Sequence, residues 1–238
     1  MLPKIPDFHV RHRRSRGAPF YIEVAMKKKS MVYVDGFNLF FGMLKGTKGR
    51  KWLDLQVFFE KLRTDDDIVC IKYFTTGVLG NKKKRQDAYI KALSTRSKIK
   101  IIYGKFKTHN IRCLVDCGYT GEKSFLTPIE KRTDVNIASH LISDAILCKN
   151  IRKFIIVSGD SDLIPAIEMV KSFSQDKQII VYVPHDPKQT KNVGKVSTDI
   201  RNAADKHKNL PVDLLAKLQF PQKVIDSHGN TIFKPPSW

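Results

Sequence analysis

Apolar residues in this chain fall in short unbroken runs, separated by longer stretches with a helical period. Five runs are too short for helices and rich in β-branched residues: Met31–Asp35, Ile68–Thr75, Ile99–Lys105, Phe154–Ser158 and Gln178–Pro184. Continuous rather than alternating hydrophobicity suits strands buried on both faces, as in parallel sheets. Between the runs the pattern predicts helices over Asn38–Leu44, Leu55–Arg63, Lys82–Arg96, Lys131–Lys149, Asp162–Ser174 and Ser197–His207. Asp54, Asn81 and Ser197 or Thr198 are N-cap types, and Pro165 falls in a first turn, where its missing N–H costs nothing. From Phe106 to Ile129 no period is visible. The alternation predicts an α/β fold with a mostly parallel five-stranded sheet and helices on both faces. Residues 1–25, carrying Arg11, Arg13, Arg14 and Arg16, read as a flexible basic arm. Residues 26–207 read as the folded domain, and 208–238 as a tail packing on it.

Two of these runs end on acids. Val32–Asn38 reads VYVDGFN and releases Asp35; Lys153–Asp162 reads KFIIVSGDSD and releases Asp160 and Asp162. Ligands in open α/β sheets collect at the carboxyl ends of strands. A third element joins them. With Asp134–Cys148 helical, Val135, Ala138, Leu141, Ile142, Ala145, Ile146 and Cys148 share a broad apolar face, and Asp134 stands near the middle of that face at its N-terminal end. Favourable placement in the helix dipole explains Asp134 alone. It does not explain four carboxylates directed to one end of one layer. Their repulsion is relieved by a hard divalent cation with oxygen ligands, Mg²⁺ or Mn²⁺.

Charge sharpens this. Lys and Arg number 43 against 23 Asp and Glu, a net of +20, while hydrophobic content is an ordinary 42%. Such an excess attracts polyanions. No apolar run approaches the length of a membrane span, and four cysteines give no disulfide framework for a chain of this size. A soluble, reduced, cytoplasmic protein is expected. No G-x4-G-K-[ST] phosphate loop is present.

Three segments, VYVDGFNLF at 32–40, EKRTDVNIASHLISDAI at 130–146 and VSGDSDLIPAI at 157–167, resemble in content and order the NYN domain family, a branch of the PIN-like nucleases. The C-terminal LQFPQ…IFKPPSW resembles the tail of bacterial members. The resemblance implies a PIN-like three-layer α/β/α sandwich and a divalent-metal-dependent endoribonuclease that hydrolyses RNA phosphodiester bonds. It places catalytic roles on Asp35, Asn38, Asp134, Asp160 and Asp162. Asp35, Asp134 and Asp160 would ligate the metal directly or through water. Asp162 would act through water or orient the nucleophile, and Asn38 would position a phosphate or a water. Ser158 falls where a small or hydroxyl residue is usual. Many members carry Asn at the position of Gly159, and some an acid at that of His140. Glu130 and Asp144 fit the local pattern without an assigned role. The alternative is a catalytically weak RNA-binding regulatory module on the same fold. RNA, single-stranded or structured, is the implied partner, with a homodimer left open and no membrane.

The basic stretch that opens with Lys82, Lys83, Lys84 and Arg85, together with Lys105, Lys131 and Arg132, is the expected RNA-binding surface, although a charge run is often only a solvated face. Tyr103, Phe106 and Tyr119 could stack on bases or simply pack. His109, Cys113 and Cys117 form H-x3-C-x3-C without an obvious fourth ligand, so structural Zn²⁺ is not expected. His140 and Asp144 are i,i+4 neighbours, for which a structural hydrogen bond outweighs a proton relay. His185-Asp186-Pro187 is either a simple turn or a border of the substrate groove.

Overall fold

The computed structural model describes residues 26–78, 80–113, 118, 120–121, 124–186 and 198–238, together with the backbone of a short antiparallel pair, His9–Val10 with Val24–Ala25. The arginines of the expected basic arm, and Cys117, Tyr119 and Pro187, lie outside the described residues.

Ten strands follow in chain order: β1 Lys28–Asp35, β2 Asp66–Thr75, β3 Ile99–Tyr103, β4 Lys105–Arg112, β5 Ser124–Lys131, β6 Lys153–Val157, β7 Gln178–Val183, β8 Lys206–Asn209, β9 Lys223–Ile225 and β10 Thr231–Phe233. The helices are α1 Gly36–Leu39, continued by a π-helical turn Phe40–Leu44, then α2 Leu55–Leu62, α3 Lys83–Ser94, α4 Thr133–Leu147, α5 Ile164–Phe173, α6 Thr198–Ala203 and α7 Val212–Lys217.

The central sheet has six strands in the order β8-β7-β6-β1-β2-β3, and every pairing is parallel. Continuous apolar runs become its buried strands, because each residue of β6, for example, is covered on one face or the other. Val32 and Val34 of β1 face a core built with α2, α3 and α7. Tyr33 faces a second core built with α4, α5 and α6. The fold is therefore a three-layer α/β/α sandwich, as expected.

Three expectations are corrected. The sheet has six strands, not five: β8, KHKN, occupies the end of the expected helix Ser197–His207, and α6 stops at Ala203. All four residues of β8 are exposed, so it carries no apolar pattern and is held at the sheet edge by backbone pairing to β7. The stretch expected to be irregular contains a long antiparallel hairpin, β4 with β5, in register from Lys105 opposite Lys131 to Arg112 opposite Ser124. Most of its described side chains are exposed, the apolar Ile111, Phe125 and Leu126 among them, which hid it from a search for buried strands. Two helix starts also move: α4 begins at Thr133 rather than Lys131, because β5 runs to Lys131, and α3 begins at Lys83 rather than Lys82, after a 3-10 turn at Gly80–Lys82.

The C-terminal segment is more than a cover. Leu215, Phe220, Val224 and Ile232 enter the first core, and the Trp52 indole N–H donates to the Pro221 carbonyl at 2.8 Å. Trp238 packs on Trp52 and Tyr89.

Candidate functional site

Strand alternation aims Asp35 at the α4–α5 layer, on the same face as Tyr33. The carboxylate is 3% exposed and tightly organised. One oxygen, Oδ1, caps α1 by accepting from the Phe37 and Asn38 backbone N–H groups at 3.0 and 2.9 Å. The other, Oδ2, accepts from Asn38 Nδ2 at 2.7 Å and from Ser158 Oγ at 3.2 Å. Gly36 must lack a side chain here, since a Cβ would stand 2.7 Å from the Phe74 carbonyl oxygen.

The tip of β6 is tied to the tip of β1 through these groups. Ser158 Oγ accepts from the Asp160 N–H at 3.1 Å while donating to Asp35. Gly159 N–H donates to Asn38 Oδ1 at 3.1 Å, so the backbone at this position supplies a polar contact of its own. Asp160 caps the 3-10 turn Ser161–Leu163 by accepting from the Asp162 N–H at 3.0 Å. Asp160 is half-buried and Asp162 exposed, and Pro165 sits at the start of α5.

Asp134 opens α4. The buried stripe of this helix is Thr133, Ile137, Leu141 and Ala145, and Asp134 continues it into the site. Val135 and Ile146, expected on that stripe, are 66% and 47% exposed and lie outside it. Burial, and then the neighbouring charges of Asp160, Asp35 and Asp162, push the Asp134 carboxyl above the usual carboxylate range. Asp35 is likewise pushed up by burial and by Glu130, against the lowering effect of Asn38 and Ser158. Asp134 therefore stands within reach of the charges of the other three acids.

Sequence reasoning left Glu130 without a role. The hairpin brings it in from the end of β5, where Thr76 Oγ1 donates to it at 2.8 Å and Thr133 Oγ1 also donates. Gly104 permits this clamp, because a Cβ there would come within 2.7 Å of both threonine hydroxyls. Arg132, at φ 78°, is the left-handed joint that turns β5 into α4.

Lys72 was missed as well, being hidden inside an apolar strand. Its Nζ reaches Asp144 Oδ2 at 2.5 Å and His140 Nδ1 at 3.2 Å, and the Tyr33 hydroxyl donates to the same Asp144 oxygen at 2.6 Å. The expected His140–Asp144 pairing is thus mediated by a lysine from the sheet. This network braces α4 against β1 and β2.

Of the basic positions, Lys105 and Lys131 stand opposite one another on the hairpin, and both are exposed, as is Arg132. Lys82, Lys83, Lys84 and Arg85 lie elsewhere, at the start of α3. Lys83 pairs with Asp87 at 2.7 Å, and Arg85 donates to Ser237. The next residue, Gln86, links that helix to the site edge by donating to Thr75 and Thr76. His109 is exposed on β4, and Cys113 is a free thiol. Asp186 is buried and ion-paired with Arg50 at 2.6 Å. A broad cleft of about 1420 Å³ between α3 and the β9–β10 hairpin, lined by Lys84, Lys91 and Phe233 among others, contains none of the clustered acids.

Among the described residues, no three His, Cys, Asp or Glu side chains converge closely enough to enclose a metal ion. Yet the acids press on one another electrostatically. The two observations agree for an open cluster whose members lie within Coulomb range rather than at ligand spacing. Mg²⁺ suits such a cluster, because it keeps several waters and takes only one or two carboxylates directly. Among the described residues no Lys or Arg forms an ion pair with Asp35, Asp134, Asp160 or Asp162. The donor set, hard oxygens without a cationic partner, fits a hard divalent ion.

The NYN domain model matches residues 29–211. The chain belongs to the NYN domain family. Its fold is thus of the PIN-like nuclease type, and the matched span holds both strand tips, the hairpin and α4. A curated relative, 6-hydroxy-3-succinoylpyridine 3-monooxygenase of Pseudomonas putida, is 29% identical, with 88% of this chain and 75% of the relative covered. A crystal structure of a Vibrio parahaemolyticus protein of unknown function is similar in fold, with a TM-score of 0.50 and 18% identity over 80% of this chain and 98% of that one. No helix among the described residues is long and apolar enough to cross a membrane.

Proposed function

We propose that this NYN protein is a divalent-metal-dependent endoribonuclease acting at the acid cluster on the carboxyl ends of β1 and β6. What supports the reading is Asp134, an acid at the start of α4 whose carboxyl is raised by burial and by Asp160, Asp35 and Asp162, and which among the described residues forms no ion pair with a Lys or Arg. Mg²⁺ or Mn²⁺ held by Asp35, Asp134 and Asp160, directly or through water, would lower the pKa of a bound water and offset charge on a phosphate oxygen. Asn38 and Ser158 fix the Asp35 carboxylate in one orientation, so little reorganisation is needed when substrate arrives. Asp162, the most open of the four, orients the attacking water. Lys105, Lys131 and Arg132 hold the RNA backbone beside the notch, and Lys82 to Arg85 extend that surface along α3. A reducing cytoplasm suits the free thiols Cys70, Cys113 and Cys148.

The test is cleavage of single-stranded, hairpin and transfer RNAs with Mg²⁺, Mn²⁺ or EDTA, by the wild-type protein and by Asp35→Asn and Asp160→Asn. Metal-dependent cleavage lost in both variants supports the reading, and full activity in both overturns it. The likeness to a pyridine monooxygenase favours a second reading, hydroxylation of a small heteroaromatic ring. Reductant-dependent oxygen consumption with a hydroxypyridine, in a preparation that leaves RNA intact, would replace the first reading by the second.

A further inference from the structure

Soon after Asp35 the chain carries a group of phenyl rings, half-buried at Phe37 and exposed at Phe41. Phe37 and Phe41 lie stacked on one side of α1 and its π-turn, with centroids 6.1 Å apart and planes 17° apart. Phe106, from the first strand of the hairpin, meets Phe37 edge-on at 6.2 Å. Phe40 points inward, packs against the first core and braces Phe41 edge-on at 5.4 Å. Phe41 remains 50% exposed. What sets Phe41 apart from other exposed apolar residues is its contact with two further rings, Phe37 and Phe40, in a row that reaches Phe106. The π-turn makes the geometry: the Lys45 N–H donates to the Phe40 carbonyl at 2.7 Å, the wide spacing that often marks functional sites in helices.

The chemistry around the rings selects the ligand. Lys45 Nζ lies 4.9 Å from the Phe41 centroid. Residues 36–53 contain Lys45, Lys48 and Lys51 besides the Asp186-paired Arg50, and no acid. Phe106 stands opposite Glu130 on the hairpin, and Phe37 donates its backbone N–H to Asp35, so the ring row starts at the acid cluster. Flat apolar faces with the Lys45 ammonium beside them, leading away from the acid cluster, match unpaired nucleobases on an anionic backbone.

We propose that Phe37, Phe41 and Phe106 form a base-stacking platform that selects single-stranded polynucleotide next to the cleavage site, with Lys45 on the adjoining phosphate. This deepens the nuclease reading and rests on it for the scissile bond, but base binding is measurable without metal.

The experiment measures binding of a fluorescent oligoadenylate, an abasic oligomer of equal length and a blunt RNA duplex to the full chain in EDTA. Phe37→Leu with Phe41→Leu should weaken oligoadenylate binding about tenfold or more, and leave the abasic oligomer and the duplex unchanged. Phe41→Trp, which keeps a stacking face, should retain binding and report it by fluorescence quenching. Equal binding of oligoadenylate by wild type and the double leucine variant overturns the proposal, as does equal loss for all three ligands. A wild-type dimer in sedimentation that the leucine variant dissolves also overturns it, because the rings would then cover a second copy. If ring-dependent binding holds while no metal restores cleavage, the platform stands and the nuclease reading falls.

Discussion

Ser158 Oγ donates to Asp35 Oδ2 at 3.2 Å and accepts from the Asp160 N–H at 3.1 Å, so one hydroxyl fixes the relative position of acids released by two different strands. Ser158→Ala removes both contacts without a steric change. RNA cleavage should fall about tenfold in kcat with KM little altered, and folding stability by about 1 kcal/mol. Steady-state kinetics and urea unfolding check the split; an unchanged kcat would mean the acids hold their spacing without the hydroxyl.

Lys72 and Asp144 form a largely buried pair, with side chains 8% and 14% exposed. Asp144→Ala leaves the lysine charge under α4 without its carboxylate, and should cost about 3–5 kcal/mol. Lys72→Met added to it should recover much of that loss, because the uncompensated charge is then gone. A double-mutant cycle by chemical denaturation measures the recovery.

His140 is held below its ordinary pKa by burial and by the Lys72 charge, against the opposing pull of Asp144. Its neutral form is the one the fold favours. The stability it contributes is present above about pH 6.5 and is lost as pH falls from there through the folded-state value. His140→Gln should flatten the decline of Tm below neutral pH, and unfolding scans across that range show whether it does.

Asp134 has the opposite sign. Its carboxyl is raised by burial and by the acids around it, so metal-free protein loses stability as pH rises from the usual carboxylate range through the raised value. Asp134→Asn should stabilise the fold in EDTA at neutral pH by about 1 kcal/mol or less, because the group is partly open to solvent, and so raise the Tm. The same variant should shrink the Tm increase that Mn²⁺ produces. Differential scanning fluorimetry with and without metal reads both effects.

Gly104→Ala would place a methyl 2.7 Å from Thr76 Oγ1 and Thr133 Oγ1. The clamp on Glu130 must open, at a cost of about 1–3 kcal/mol. Amide exchange of the hairpin should speed up relative to β1 and β6, and uniform exchange would mean that the clamp does not anchor the hairpin.

The periodicity of the chain determined the central strands, the helices between them and the acids at the strand tips. Burial on both faces imposes continuous apolar runs, and alternation along β1 then decides which way Asp35 points. Asp134 was legible for a similar reason, since it continues a buried helical stripe. What only the tertiary structure decided has no local apolar signature. β8 is polar and exposed and the β4–β5 hairpin leaves even its apolar Phe125 and Leu126 exposed, and both exist through backbone pairing. Glu130, Thr76 and Thr133 meet because that hairpin folds back on the start of α4, and Lys72 becomes a brace only when α4 lies across β2. The phenyl row beside Asp35 likewise depends on one ring from the hairpin, one from α1 and one from the π-turn, the hairpin ring more than sixty residues away in sequence.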